Sequence, residues 1–449
     1  MQAEAQQRYD VTVIGLGETG LACVRHLLAR GRRVAVTDTR ERPPRVDDLG
    51  ALGARVTQSY GAIDPVLLLC SDLVVLSPGL DPRLPAIADA VSAGVPVIGE
   101  IELFAREARA PVVAITGSNG KSTVTTLVGE MAQAAGVHAA VGGNLGTPAL
   151  ELLAAGEPDL FVLELSSFQL ETVSSLDAKA AVVLNISPDH LDRYASMADY
   201  EAAKRRIYAG SGVMVINHDD PAVRAMAEPG RRTLAFTLAA PVDGDTIGVR
   251  AVGGEPWVVR GADRILPVRD IRLAGRHNLA NALAALALGE AGGLPRPAMI
   301  EALRRFPGLP HRMEALGERR GVAWFNDSKG TNVGATVAAV EGLDRPVVLI
   351  AGGQGKGQSF EPLARALRGR ARAAVVIGQS ADTLAEALTG VARVVAASTM
   401  EEAVCLAAKL AQAGDAVLLS PACASFDMFD GYAARGDAFR QAVEGLEHG

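Results

Sequence analysis

The stretch "ITGSNGKSTVTTL", residues 115–127, decides how the chain is read. An apolar run, "APVVAITG", leads into it, a helical pattern follows, and Gly-Lys-Ser-Thr sits at the join. A strand that ends in a glycine-rich turn and opens a helix is the outline of a phosphate loop. Its backbone N–H groups, helix dipole and lysine take up an anion. The common GxxxxGK[ST] spacing would put a glycine at Ile115, but the upstream glycine here is Gly117. Even so, Gly117, Asn119 and Gly120 allow a sharp turn, Lys121 can reach the outer phosphates, and Ser122 or Thr123 can meet magnesium. A nucleotide site needs a carboxylate on a neighbouring strand to hold that metal. Glu164, interrupting the apolar "LFVLELSSFQLE", supplies it, since a buried unpaired charge there would be costly.

Outward from this loop, short apolar runs alternate with amphipathic stretches of about a dozen residues, the pattern of parallel sheets covered by helices. "YDVTVIGLG", "RRVAVTD" and "DLVVLSPG" give strands in the first hundred residues. "DLFVLELSS", "KAAVVLNIS" and "GVMVINHDD" follow in the middle, and "RPVVLIAGG", "AAVVIGQS" and "DAVLLSPA" at the end. With 449 residues and about 150 per domain, three α/β domains are expected. The breaks fall near Gly99 and in "FPGLPHR", giving 1–99, 100–308 and 309–449. The first and last read as Rossmann-like and the central one as a P-loop parallel sheet.

Composition excludes several classes. Lys and Arg total 44 against 51 Asp and Glu, a net charge of −7, which argues against a nucleic-acid partner. No apolar run has bilayer length, so membrane insertion is not expected. "MQAEAQQRYD" lacks a signal-peptide core, and Cys23, Cys70, Cys405 and Cys423 are scattered, as in a cytoplasmic protein.

Other stretches carry candidate chemistry. "GLGETG", Gly15 to Gly20, is a complete GxGxxG after a strand, and Asp38 ends the next strand where a carboxylate meets a ribose. These residues alone leave the nucleotide open, with NAD as the default. "NISPDHLDRY" clusters Asp189, His190 and Asp192 after a strand, a metal or catalytic arrangement. Lys204, in "YEAAKRRIY", reads by spacing as a surface lysine beside Arg205 and Arg206. Asn278 stands near a helix start, suited to a cap or to a base. In the last domain, "LPHRMEALG" holds His311 and Arg312, and "FNDSKGTNVGAT" holds Asp327, Ser328, Lys329, Thr331 and Asn332. "AGGQGKG" adds Lys356, and "LSPACASFDMFDGYAARG" adds Ser425 and Tyr432. These loops follow strands, so they gather at one sheet edge and suit an anionic small molecule.

In order, "TGSNGKST", "GGNLGTP", "LELSSFQLE", "NISPDHLDRY", "AAKRRIY", "GRHNLANALAALAL", "LPHRME", "NDSKGTNVGAT", "AGGQGKG" and "LSPACASFD" resemble the Mur ligases over nearly the whole chain. The likeness is strongest to the branch that adds D-glutamate, and the shortened phosphate loop is that family's own form.

The resemblance implies an ATP-dependent amide ligation in peptidoglycan precursor synthesis, by a cytoplasmic monomer. The γ-phosphoryl would pass to the carboxylate of UDP-N-acetylmuramoyl-L-alanine, and the amine of D-glutamate would attack the acyl phosphate. It further implies ATP contacts from the phosphate loop, Asn278, Arg312 and Asp327. Two magnesium ions would be held, one by Ser122 and Glu164, the other by His190 and Lys204, with Lys204 carbamylated. Lys121, His190 and Lys204 would be the catalytic set. The UDP substrate would meet Gly17, Thr19, Asp38, Thr39, Arg40, Ser77, Gly79, Asn144 and His190, so the first glycine loop would hold UDP rather than NAD. Lys329, Thr331, Lys356, Ser425 and Tyr432 would hold D-glutamate. Glu18, Gln354 and Tyr432 depart from the family pattern, which has an apolar residue, an acid and a phenylalanine there. The alternatives are another Mur-type or folylpolyglutamate-type ligase, or an NAD-dependent dehydrogenase that leaves Lys121 and Glu164 without work.

Overall fold

The apolar runs become strands of three sheets, each with its carboxyl edge turned to a ligand-sized gap. The computed structural model describes residues 8–52, 56–191, 193–273, 275–355 and 357–446. The first sheet holds β1 Val11–Ile14, β2 Val34–Asp38, β3 Val56–Tyr60, β4 Val74–Leu76 and β5 Val97–Ile98, all parallel, in the order β3-β2-β1-β4-β5.

The second sheet holds β6 Val112–Thr116, β7 Ala139–Gly143, β8 Leu160–Glu164, β9 Ala180–Val183, β10 Val213–Asn217, β11 Thr233–Phe236, β12 Thr246–Val252, β13 Glu255–Arg260 and β14 Asp263–Pro267. Its order is β14-β13-β12-β11-β10-β9-β6-β8-β7. Successive residues of β6 and β8 enter opposite cores. Val112, Ala114, Phe161 and Leu163 face one side, and Val113, Ile115, Leu160 and Val162 face the other. Burial on both faces explains the unbroken apolar runs.

The expected parallel sheet needs one correction, because β13 and β14 are antiparallel. Two-residue connections, Gly253-Gly254 and Gly261-Ala262, can join only antiparallel neighbours.

The third sheet holds β15 Glu314–Arg319, β16 Val322–Asn326, β17 Val347–Gly352, β18 Ala371–Ile377, β19 Arg393–Ala396 and β20 Ala416–Leu419, in the order β15-β16-β20-β17-β18-β19. Only β15 runs antiparallel.

The three layers touch. Phe104, on the helix Glu100–Ala105 that links the first two sheets, packs edge-on against Phe161 with centroids 4.9 Å apart. Asn332 of the third unit donates to Asn119 Oδ1 at 3.2 Å and to Asp189 Oδ2 at 3.1 Å in the second. Among the described residues, no helix is long and apolar enough to cross a membrane.

Candidate active site

β6 ends at Thr116, and the shortened loop turns through Gly117 (φ +152°) and Gly120 (φ +86°) into the helix Lys121–Ala134. At Gly117 a Cβ would lie 2.9 Å from the Leu184 Cβ, and at Gly120 it would land on the Asn281 carboxamide. Glycine is therefore required by space as well as by φ. Lys121 Nζ donates to the carbonyls of Gly117 (2.8 Å) and Ser118 (3.1 Å), so its ammonium lies curled over the loop.

Glu164 ends β8, paired with Ile115 of β6, and so stands beside the loop. Its Oε1 accepts from Asn144 Nδ2 at 2.7 Å, whereas Oε2 is buried with no hydrogen-bond partner. Burial pushes this carboxyl up, but Lys121, Asn144, the neighbouring Ser122 hydroxyl and Arg312 outweigh it and hold the group below its usual range. An ionised carboxylate with one bare buried oxygen is the donor a hard cation takes. No cluster of three or more His, Cys, Asp or Glu occurs among the described residues. One carboxylate beside the Ser122 hydroxyl suits magnesium, which keeps waters and binds phosphate oxygens.

Lys204 is not the surface lysine its spacing suggested: it is 1% exposed. Its Nζ donates to the Gly117 carbonyl at 2.9 Å, the acceptor Lys121 also uses, and lies 4.7 Å from the Tyr200 ring centroid. Burial, then Lys121, drives its pKa well below the ordinary lysine value. Arg205 and Arg206, its neighbours in sequence, are exposed.

His190 adopts a left-handed backbone (φ +55°), uncommon outside glycine, and its ring sits edge-on to Phe168 at 4.8 Å. Gly79, Lys121, Asn144, His190 and Lys204 line one cavity of ≈ 360 Å³ between the first and second sheets. A second cavity, ≈ 270 Å³, lies between the second and third sheets and gathers Asn119, Gly120, Thr123, Asn278, Arg312, Asp327 and Lys329.

Ser122 lies in sequence between Lys121, which lines the first cavity, and Thr123, which lines the second. Its Oγ accepts from Arg312 Nη2 at 2.9 Å and from Lys329 Nζ at 3.3 Å, both from the third unit. Burial, then Arg312, lowers the Lys329 ammonium to about 8. Asp327 is pushed up to about 7 by burial, and its Oδ2 accepts from Ser420 Oγ at 2.7 Å. Asn278 does not cap its helix, since Gly275 holds that place; its Oδ1 accepts from Asn281.

The amino-acid set is less concentrated. Lys329 Nζ lies 4.8 Å from the Tyr432 ring centroid, whereas Thr331, Ser425 and Tyr432 stand outside both cavities. Lys356 and Asp192 lie outside the described residues.

The first glycine loop is built as its motif predicts, with Ser77 Oγ donating to the Gly15 carbonyl at 3.0 Å and Gly17 capping the helix that carries Thr19. Asp38 departs from the ribose reading. It is 1% exposed, and its oxygens accept from Leu16 N (2.7 Å) and from the Arg40 guanidinium (2.7 and 2.9 Å). It orders the loop, while Thr39 and Arg40 are exposed. Glu18 pairs with Arg45 across the same loop. Gln354 is exposed and bridges Ala424 through backbone alone.

Sequence reading missed Asn185, Ser187 and Phe236, which line the second cavity, and Phe168, which lines the first. Asn185, Ser187 and Phe168 lie inside "NISPDHLDRY" and "LELSSFQLE" but carry no charge to mark them, and Phe236 lies in neither.

Three stretches match family models: residues 9–99 the Mur ligase MurD-like N-terminal domain, 115–289 the Mur ligase middle domain, and 311–423 the Mur ligase glutamate ligase domain. The chain is 55% identical over 433 residues to UDP-N-acetylmuramoylalanine–D-glutamate ligase of Nitrosococcus oceani, covering 96% of this chain and 95% of that one. It is 50% identical to the protein of the same name from Pseudomonas putida, covering 97% of each. Among solved structures, it resembles a pseudomurein peptide ligase type C from Methanothermus fervidus, with a TM-score of 0.60, 18% identity, and coverage of 98% of this chain and 100% of that one. UDP-N-acetylmuramate-alanine ligase of Thermotoga maritima gives 0.59 and 19%, with the same coverage. At that identity the likeness speaks for the three-part α/β fold.

Proposed function

This chain belongs to the Mur ligase family, and from that premise we propose that it joins D-glutamate to UDP-N-acetylmuramoyl-L-alanine in the cytoplasm, converting ATP to ADP and phosphate. In this reading residues 1–99 hold the uridine end, 100–308 hold ATP, and 309–449 hold the amino acid. The observation that carries it is the meeting at Ser122. There the phosphate loop of one unit and two cations of another, Arg312 and Lys329, converge on one hydroxyl. That is where a γ-phosphoryl group would lie between nucleotide and acceptor.

A carboxylate at neutral pH is a poor electrophile, and phosphorylation gives it a leaving group. Lys121 exchanges its carbonyl partners for phosphate oxygens, and with Arg312 and Lys329 offsets repulsion between the anionic acceptor and ATP. The alanyl carboxylate attacks the γ-phosphorus and ADP departs. The free amine of D-glutamate then attacks the acyl carbon, the C–O bond to phosphate breaks, and the proton lost by the amine leaves with the phosphate.

Magnesium, when bound, would draw charge from the phosphate oxygens. Ser122 and the bare Oε2 of Glu164 fit one ion. His190 and Lys204, facing the same cavity, fit a second if Lys204 is a carbamate. Burial lowers the pKa of this amine, which favours the neutral form that reacts with carbon dioxide and gains the oxygens an ammonium lacks.

Phosphate release measured against a panel of amino acids and acceptors tests the proposal. The expected result is release only with D-glutamate and UDP-N-acetylmuramoyl-L-alanine together. Preference for L-alanine, a diamino acid or a folate acceptor would assign another ligase, and nicotinamide-dependent turnover a dehydrogenase.

A further inference from the structure

Arg435 has no part in the reaction above, yet it is 1% exposed, one of the largest side chains wholly inside the protein. It projects from the first turn of the helix Tyr432–Gly445. Its Nε donates to Ser328 Oγ at 3.0 Å, and Nη2 donates to the carbonyls of Ser328 (2.8 Å) and Cys423 (3.2 Å). Nη1 donates to the carbonyls of Cys423 and Ala424, both at 3.2 Å, and more distantly to Gly352 at 3.5 Å.

These acceptors come from the segments that follow β16 and β20 and from Gly352, the last residue of β17, where a third segment begins at the carboxyl edge of the third sheet. Every acceptor is neutral, and no carboxylate hydrogen-bonds Arg435 among the described residues; Asp427 and Asp327 favour its charge only from a distance. Burying a cation without a counter-ion is costly, so the guanidinium is held by carbonyl dipoles turned toward it.

The segment after β16 carries Lys329 and Thr331, and that after β20 carries Ser425. The one after β17 leads toward residue 356, and Tyr432 lies one turn before Arg435. Ser328 Oγ donates to the Tyr432 carbonyl at 2.8 Å, which closes the set. The backbones are packed against one another here: a Cβ on Gly353 would strike the Ala424 carbonyl, and one on Gly436 would strike the His311 ring.

We propose that Arg435 is the positioning residue of the amino-acid pocket, clamping the three segments together so that Lys329, Thr331 and Ser425 face one anionic substrate. This rests on the function proposed above for where the amino acid binds. A clamp of this kind acts chiefly on capture of the amino acid, because activation of the acceptor also has Lys121 and Arg312, which Arg435 does not touch. Lysine keeps the charge but, with three donors on one nitrogen, cannot span three segments.

The test is a set of kinetic constants for Arg435→Lys, Arg435→Met and Ser328→Ala. It is paired with hydroxamate formation, in which hydroxylamine replaces the amino acid and traps the activated acceptor. Arg435→Lys should raise the D-glutamate KM about tenfold and Arg435→Met further, while the KM values for ATP and UDP substrate stay within about twofold and hydroxamate formation persists. Ser328→Ala removes one Arg435 partner and the bond to Tyr432. It should raise the same KM severalfold, and it decides the matter if the Arg435 variants do not fold. Parallel loss of hydroxamate formation and ligation, or an unchanged D-glutamate KM in the folded variants, would overturn the proposal. If the wild-type protein rejects D-glutamate, the functional reading fails instead, and the same KM comparison with the amino acid it accepts still tests Arg435.

Discussion

Glu100→Gln should stabilise the protein, and do so only at neutral to alkaline pH. Glu100 opens the helix that links the first two sheets and is 2% exposed. Its Oε1 accepts from Leu150 N at 3.0 Å, at the start of the helix Ala149–Ala154, while Oε2 is buried without a partner. Burial raises this carboxyl from 4.5 to about 7, against the pull of the Leu150 and Ala149 N–H groups. Between those values the folded chain holds a proton that the unfolded chain has released. Stability therefore falls as pH rises from about 4.5 and levels off above about 7, a loss of about 3 kcal/mol at full linkage. Glutamine keeps an oxygen for Leu150 N and cannot ionise. At about pH 8 the variant should gain up to about 3 kcal/mol, an upper bound, and at about pH 5 close to nothing. Calorimetric melting of both proteins across that range gives the difference. A variant less stable than wild type at both pH values would show that burial does not penalise the Glu100 charge. It would mean that the helix N-terminus keeps Glu100 ionised and draws net stability from its charge.

Four further outcomes follow from the site. Lys121→Ala should lower ligation about a thousandfold with an unchanged circular dichroism spectrum, because a preorganised charge on the transferring phosphoryl is lost. Lys204→Arg should be nearly inactive despite keeping the charge, and wild-type activity lost in carbon-dioxide-free, mildly acidic buffer should return with bicarbonate; full activity of the variant would contradict the carbamate. Gly120→Ala places a methyl on the Asn281 carboxamide at φ +86°, so the ATP KM should rise well before the fold is lost, as parallel kinetics and melting would show. Asn332→Asp keeps the cap on Ala335 N but sets a carboxylate against Asp189, so small-angle scattering should report a more open ligand-free protein; identical profiles would count against that bridge.

The sequence carried the interior of the fold better than its margins. Every strand read from an apolar run lies where both faces of a sheet are covered, as Val112–Thr116 and Leu160–Glu164 do. The overlooked strands include edges such as Val56–Tyr60, with a partly exposed, polar pattern, and Arg393–Ala396, with none of its residues buried. The antiparallel hairpin was not anticipated, and only the turn chemistry of Gly253-Gly254 could have revealed it. Within the site, Glu164 was legible because a charge in an apolar strand demands a reason. Lys204 was not, because helical spacing beside two arginines says nothing of what packs over it. Arg435 was equally silent: its partners are backbone carbonyls of segments far apart in the chain, and carbonyls have no signature in a sequence.

In the proposed reaction the alanyl carboxylate of the acceptor takes the γ-phosphoryl group before the amide forms. A single measurement reaches it directly: ligation of acceptor labelled with heavy oxygen in that carboxylate, followed by mass analysis of the phosphate released. One labelled oxygen per phosphate, appearing only when D-glutamate is present and in step with the amide product, is the predicted result. Phosphate free of label while amide accumulates would contradict it.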